Sequence, residues 1–464
     1  MSITSGPGSP IAIVLGYDGV MGKTHVWLAL SVCCATMLMG QTAPKVVTVT
    51  PWHRSADVDA KTTKDLIVVF DQAMSQTGWS LCGGGPQFPK IVGKPAWRND
   101  RTLVVTVELE PDHDYMLGLN CPAAQNFRSA TGEPLVPTPW AFTTLPLELP
   151  DRKVQKARNQ AATKRLWQEL AEHYSHRDLR VRDWAKLEKA ATPALLASKT
   201  DQAWAAAAAT ALQPTEDLHL SLKIGERTWG TGSRAIDPLF SAQRLADHVK
   251  ASKVAEQVLA GRSDDDIGYL LIASWRSDLD LPAIEQALTG MLDCKAMVID
   301  VRPNSGGDES VALKVAAWFV EGAKVYAKNR YRERAGKNGF GKVFERAVTG
   351  NDEGRRFGGP IAVLTSRYVM SSNESFVMML EQARDCTSVG QPTFGSSGNP
   401  RPAELGNGVT IFIPRWQDLR LDGTCFEGEG LAPDVRVEVK GGDFERGDPI
   451  LAKALEVLRG KIRG

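Results

Sequence analysis

The sequence predicts a multidomain protein: an N-terminal β-sandwich, a helical segment, and a C-terminal α/β core. Three observations predict it. Short β-branched or alternating runs separated by Asp, Asn, Gly and Pro fill the stretch from Lys45 to about Leu145. Charged and apolar residues recur at helical spacing from Arg152 to about Leu212. Beyond residue 260 strand-like runs alternate with helical ones.

In the first stretch the strands are expected at Val46–Thr50, Leu66–Phe70, Leu103–Val107 and Tyr115–Leu119. Strands at this spacing, with no helical period between them, argue a sandwich. Pro146 to Pro150 reads as a linker, and Ala205–Ala209 is a strong helix-forming run after it. In the last stretch Ile267–Ile272, Ala296–Val301, Ile361–Thr365 and Val409–Ile413 read as strands, and Glu309–Val320 and Asn373–Arg384 as helices.

At 464 residues, with 43% hydrophobic and 23% charged, the chain has ordinary globular composition. Lysine plus arginine (55) nearly balance aspartate plus glutamate (54), for a net charge of +1. No single-sign field is available to hold a phosphate backbone, so no nucleic acid is expected as a partner. One apolar run, Val26–Met39, follows Lys23 and precedes the small residues from Gly40 to Ala43. It reads as a secretory signal, too short for a membrane span of roughly 20 residues; a short core helix is the alternative. Residues 1–43 are therefore taken as a signal peptide with an upstream extension, translation starting at Met21. Removal of Cys33 and Cys34 leaves Cys82, Cys121, Cys294, Cys386 and Cys425. An exported chain permits disulfides, and Cys82–Cys121 is the candidate bridge.

Four motifs in the later part of the chain carry possible chemistry. The loop Asp300-Val-Arg-Pro-Asn-Ser-Gly306-Gly307 joins a strand to a helix, where glycine N–H groups can face a developing oxyanion; it also suits a plain turn. Ser371-Ser-Asn-Glu374 is a helix-capping box by pattern, and equally a place where a nucleophilic serine is exposed at a helix N-terminus. Glu427 to Asp434 (Glu-Gly-Glu-Gly-Leu-Ala-Pro-Asp) reads on its own as a glycine-rich turn. Asp217-Leu-His219 carries a histidine, more often structural than catalytic when met alone.

In this order the four motifs resemble the C-terminal processing (tail-specific and tricorn-type) serine peptidase family, over about Gln168 to Arg459. The match rests on Ile299–Gly307, Gly359–Thr365 leading to Ser371–Glu374, Val389–Gly395, and Gly430–Asp434. The resemblance implies a crotonase-like, ClpP-type α/β core. It implies Ser371 as nucleophile and an oxyanion hole from the N–H groups of Gly306, Gly307 and Ser372. The tail-specific branch takes its base from a lysine in a Thr-Phe-Gly-Lys loop. Here that loop is Thr393-Phe-Gly-Ser396, and the base is missing. Some members instead pair an early histidine with a late glutamate, which implies His219 as base and Glu427 as orienter of its ring. Ser396 and Ser397 are expected to support the site. About forty-five residues separate His219 from Asp265, too few for a PDZ domain of roughly 80–100 residues.

The first stretch resembles the bacterial Ig-like domains, on the segments Leu66–Met74, Trp97–Leu103 and Trp140–Thr144. The expected organisation is an Ig-like sandwich over 44–147, a helical cap over 148–215 and the peptidase core over 216–464. No cofactor or metal is expected, since Cys294, Cys386 and Cys425 lack paired zinc spacing. The expected function is an exported serine endopeptidase acting on protein or peptide. The alternative is a catalytically silent relative that binds peptides or cell-envelope components, favoured by the missing lysine and by Asn373 where small residues usually stand.

Overall fold

The computed structural model describes residues 42–232, 236–336, 339–440 and 442–463, together with the backbone of a two-residue strand at Ile3–Thr4. The expected signal segment lies outside the described residues. Among these residues no helix is long and apolar enough to cross a membrane.

The chain divides into two compact units, residues 1–155 with 198–207, and residues 156–197 with 208–464. The division falls within the helices Arg152–His173 and Asp201–Ala211, while Arg177–Arg180 and Trp184–Ala197 belong to the second unit.

In the first unit the four expected strands form, each within a residue of its expected bounds. Two antiparallel sheets result. One orders Val46–Thr50, Asp65–Phe70, Thr102–Glu108 and Lys90–Ile91, with Ala96–Asn99 also on Thr102–Glu108. The other orders Ile3–Thr4, Ser80–Cys82, Asp114–Leu119 and Thr138–Thr143. Alternation decides what is buried. Leu66, Val68 and Phe70 from the first sheet, and Tyr115, Leu117 and Leu119 from the second, enter one apolar cluster with Trp140 and Phe142. Cys82 and Cys121 form the expected disulfide.

The second unit is built on a seven-stranded sheet, ordered Lys250–Ala255, Val258–Arg262, Ile267–Ile272, Ala296–Asp300, Ile361–Thr365, Cys386–Gly390 and Val435–Arg436. The first two strands pair antiparallel and the rest run parallel. Every residue of Ile267–Ile272, Ala296–Asp300 and Ile361–Thr365 is buried, as expected of a parallel sheet covered on both faces. Leu270, Ile272, Met297, Ile299, Ile361 and Val363 pack on one face with helices Leu281–Thr289, Glu309–Ala316 and Ser372–Leu380. Tyr269, Leu271, Val298, Ala362 and Leu364 pack on the other against helix Pro449–Arg463.

The expected strand at Val409–Ile413 forms at Thr410–Pro414 but does not join this sheet. It pairs with Ser221–Ile224 in a separate four-stranded sheet, which carries the segment after His219 toward the core. A hairpin of Ala323–Arg332 and Phe340–Thr349 has no counterpart in the expectations. Its charged residues mask the alternation that marks a half-buried strand.

One buried ion cluster ties the Asp300–Gly307 loop to the last helix. Arg302 pairs with Asp300 at 2.6 Å and with Asp448 at 2.8 Å, all essentially without solvent contact. The Tyr269 hydroxyl donates to Asp300 (2.7 Å), and the Ser366 hydroxyl to the Arg302 carbonyl (3.0 Å). Removing one partner of such a cluster leaves an uncompensated buried charge. Asp448→Ala is therefore expected to destabilise the second unit by about 3–5 kcal/mol in urea unfolding; a change within experimental error would contradict this account of the loop.

Candidate active site

Ser371 sits between the strand Ile361–Thr365 and the helix Ser372–Leu380, at φ 58° and ψ −134°. An L-residue in this region is strained and persists only where its surroundings over-determine it. The surroundings do so here. The Ser371 N–H donates to the Ser396 carbonyl (2.8 Å) and toward the Glu374 carboxylate (3.2 Å). The capping box expected from Ser371-x-x-Glu374 is thus present, and the serine still offers its hydroxyl to a second group.

That group is His219. Its Nε2 lies 3.1 Å from Ser371 Oγ, and its Nδ1 lies 3.0 Å from Ser396 Oγ. The tautomer that can take the serine proton carries its own proton on Nδ1 and donates it to Ser396. On the main chain, the His219 N–H donates to Asp217 (2.9 Å). Burial is the largest influence on the ring and holds its pKa below the usual 6.5, against the opposing charges of Asp217 and Glu427. The ring is therefore neutral at neutral pH, the form that can accept a proton.

Glu427 is not behind that ring. Its Oε1 meets Arg180 Nη2 at 2.5 Å and His176 Nδ1 at 3.4 Å, while its Oε2 accepts from the Ser397 N–H (2.9 Å) and hydroxyl (3.2 Å). The expected orienting contact is replaced by Ser396 Oγ, because the loop that carries it passes between the glutamate and the histidine. Ser397 anchors the same loop on Glu427.

The Asp300–Gly307 loop approaches Ser371 closely. A Cβ on Gly306 would stand 2.9 Å from Ser371 Cβ, and one on Gly307 would stand 2.2 Å from the Trp275 carbonyl. Both glycines have φ above 100°, so nothing larger fits. Of the three expected oxyanion donors, Gly306 is corrected: its N–H donates to Asn304 Oδ1 (2.8 Å) and is spent inside the loop. Among the described residues, no hydrogen bond within the chain engages the N–H of Gly307 or of Ser372. Asn373 has a structural account. Its side chain donates to the carbonyls of Val301 (3.1 Å) and Asn304 (2.8 Å) and accepts from Trp275 Nε1 (2.9 Å). It staples the loop to the helix. A cleft of about 340 Å³ opens beside Ser371, lined by Gly307, Asp308, Ser372, Asn399, Trp416 and Asp418 among others.

Sequence reasoning missed four residues here. Tyr174 donates to Asp217 (2.8 Å), and His176 approaches the same carboxylate at 3.3 Å. Arg180 pairs with Glu427 as described. These three stand in the helical segment, where nothing in the pattern marks them. Glu374 is the fourth. It is fully buried, and besides Ser371 it accepts from Thr393 Oγ1 (2.5 Å), Gly395 N (2.7 Å) and Ser396 N (3.0 Å). Burial pushes its carboxyl up to about 8 against the pull of these donors. The Ser-x-x-Glu pattern marked Glu374 only as a cap.

His176, Asp217 and Glu427 also present ligand atoms within 4.8 Å of one another, a spacing that suits a metal ion. The donor set does not need one, since the Arg180 guanidinium already bonds Glu427 and supplies the positive charge.

The model of peptidase family S41 matches residues 266–437. The carboxy-terminal processing protease CtpA of Bacillus subtilis is 24% identical over 186 residues, 40% of this chain and 38% of that protein. The chain thus spans less than two fifths of the length of the curated relatives it matches. A solved candidate peptidase from Parabacteroides merdae aligns with TM-score 0.57 and 23% identity, covering 65% of this chain and 96% of that one. Mature CPAF aligns with TM-score 0.50 and 9% identity, covering 66% and 97%. At these identities the likeness to the solved structures is one of fold.

The Glu374 carboxyl group is the common acceptor that holds the 393–396 loop against Ser371. Glu374→Ala leaves several buried donors unpaired, at about 1–3 kcal/mol each. A loss of at least about 3 kcal/mol in urea unfolding is expected, and a near-neutral effect would contradict the assignment.

Proposed function

Because residues 266–437 form a domain of peptidase family S41, we propose that this chain is a serine endopeptidase in which His219, with no lysine, activates Ser371. The observation that carries the reading is the 3.1 Å approach of His219 Nε2 to the hydroxyl of a strained serine. A neutral hydroxyl is a poor nucleophile without such a base. Ser371 Oγ attacks the scissile carbonyl carbon as its proton passes to His219 Nε2. The carbonyl oxygen takes the negative charge and faces the N–H groups of Gly307 and Ser372. Collapse breaks the C–N bond, and the imidazolium returns its proton to the leaving amine. Water then attacks the acyl-serine with His219 again as base, releasing the acid and the free hydroxyl.

Ser396 takes the place of the missing lysine in the loop, orienting the base instead of being one. The contact of Ser396 with the His219 ring and the stapling contacts of Asn373 support the active reading over a silent relative. The substrate class is protein or peptide. Export is part of the proposal, supported by the apolar Val26–Met39 run and by a disulfide of the kind that persists in oxidising compartments. The two-sheet first unit fits an Ig-like spacer or binding module.

A fluorophosphonate probe is expected to label Ser371 covalently, as located by peptide mass spectrometry, and to leave Ser371→Ala unlabelled. His219→Ala should slow labelling by about 10²- to 10⁴-fold. Lack of labelling in the wild-type protein would return the reading to a silent peptide-binding relative. The base acts only when unprotonated, and burial holds its pKa down. The labelling rate should therefore stay high as pH falls through 6.5 and reach half its plateau below that value; a half-point above 6.5 would contradict the burial argument.

A further inference from the structure

On the side of His219 away from Ser371 lies a group of ionisable side chains that the reaction steps do not touch. Asp217 and Glu427 carry the negative charges and His176 and Arg180 face them. His176, Asp217 and Glu427 have no exposed side-chain surface, and Arg180 is 12% exposed. His176 Nδ1 stands between the two acids, 3.3 Å from Asp217 Oδ2 and 3.4 Å from Glu427 Oε1.

We propose that His176 and Arg180 are positioning residues. With Asp217 and Glu427 they form a charge-balanced brace that fixes His219 from two sides and sets how readily its ring takes a proton. The proposal rests on the peptidase reading of Ser371 and His219 and goes beyond it.

The bracing is geometric. On one side Asp217 accepts the His219 N–H at 2.9 Å. On the other, Glu427 accepts the Ser397 N–H at 2.9 Å, next to Ser396, whose hydroxyl meets the His219 ring. His176 and Arg180 join the two acids, so the main chain and the ring of the base are held through one connected unit. Gly398 lets the loop close over that unit, since a Cβ there would stand 3.0 Å from His176 Cε1.

The charge argument follows from the same positions. Two buried carboxylates next to an imidazole stabilise the imidazolium, and a histidine that holds its proton is no base. Arg180 offsets one carboxylate. His176, standing between both acids, offsets the other when it carries a proton. Burial works against that proton, but Glu427 and Asp217 prevail and raise the His176 pKa. Besides these four, the groups around His219 are Ser371, the Ser396 and Ser397 hydroxyls, and Glu374, whose carboxylate is turned toward the backbone of the 393–396 loop. A support that only filled space would leave the proton affinity of His219 unchanged when its charges are altered one at a time.

The test is the titration midpoint of His219, followed by NMR of ¹³Cε1-labelled histidine in the full chain and assigned with His219→Asn. Removing a positive member, as in His176→Gln or Arg180→Gln, should raise the midpoint by roughly one pH unit. Removing a negative member, as in Glu427→Gln, should lower it by a similar amount. Arg180→Gln, at the most exposed position, keeps the test open if His176→Gln does not fold. Midpoints that stay put, or that move in one direction for all variants, overturn the brace. The titration needs no turnover, so the two readings fail separately: a labelled Ser371 with unmoved midpoints leaves the peptidase and removes the brace. An unlabelled Ser371 with midpoints that move in the stated directions removes the peptidase and leaves the brace.

Discussion

The site depends on one contact, the 3.1 Å approach of an imidazole to a hydroxyl 152 residues later in the chain. Neither side chain can make it alone. Ser371 is presented by a strand that ends on a fully buried parallel sheet and by a backbone bend that an L-residue adopts only under constraint. His219 is presented by the turn before Ser221–Ile224, which pairs with Thr410–Pro414 outside the main sheet. The 393–399 loop runs alongside both. It bonds Ser371 through the Ser396 carbonyl, His219 through the Ser396 hydroxyl, and the acids Glu374 and Glu427 through its N–H groups. The loop is therefore the shared mount of Ser371 and His219. Where the family resemblance implies a lysine, this loop brings the Ser396 hydroxyl to within 3.0 Å of His219 Nδ1.

Much of this was legible in the sequence, for definite physical reasons. Ile267–Ile272, Ala296–Asp300 and Ile361–Thr365 are continuous apolar runs because both their faces are covered, and such runs read as buried strands without any other help. Leu66–Phe70 and Tyr115–Leu119 alternate because one face packs and the other does not. Gly306 and Gly307 stood out because only glycine tolerates both their φ values and the closeness of Ser371 and Trp275.

What stayed hidden is equally physical. The charged partners of Glu427 lie about 250 residues upstream in helical sequence, and a buried ion pair leaves no local periodicity. From sequence the Glu427 carboxylate thus goes to His219, whereas the structure brings it to His176. The Gly306 N–H looked available because its acceptor, the Asn304 side chain, turns back within the same loop. Thr410–Pro414 has the composition of a sheet strand, and composition does not say which sheet. The Ala323–Arg332 hairpin carries arginines that pair with acids elsewhere, such as Arg332 with Asp178, and so reads as polar surface.

The central claim is that Ser371 becomes acylated during turnover with His219 as its base. Its most direct test is rapid acid quenching of the protein with a slowly hydrolysed activated ester, followed by peptide mass mapping across the pre-steady state. The account predicts an acyl group on Ser371 that builds and decays with product release, and that fails to accumulate in His219→Ala. Turnover with no adduct on Ser371, or undiminished turnover in Ser371→Ala, would contradict it.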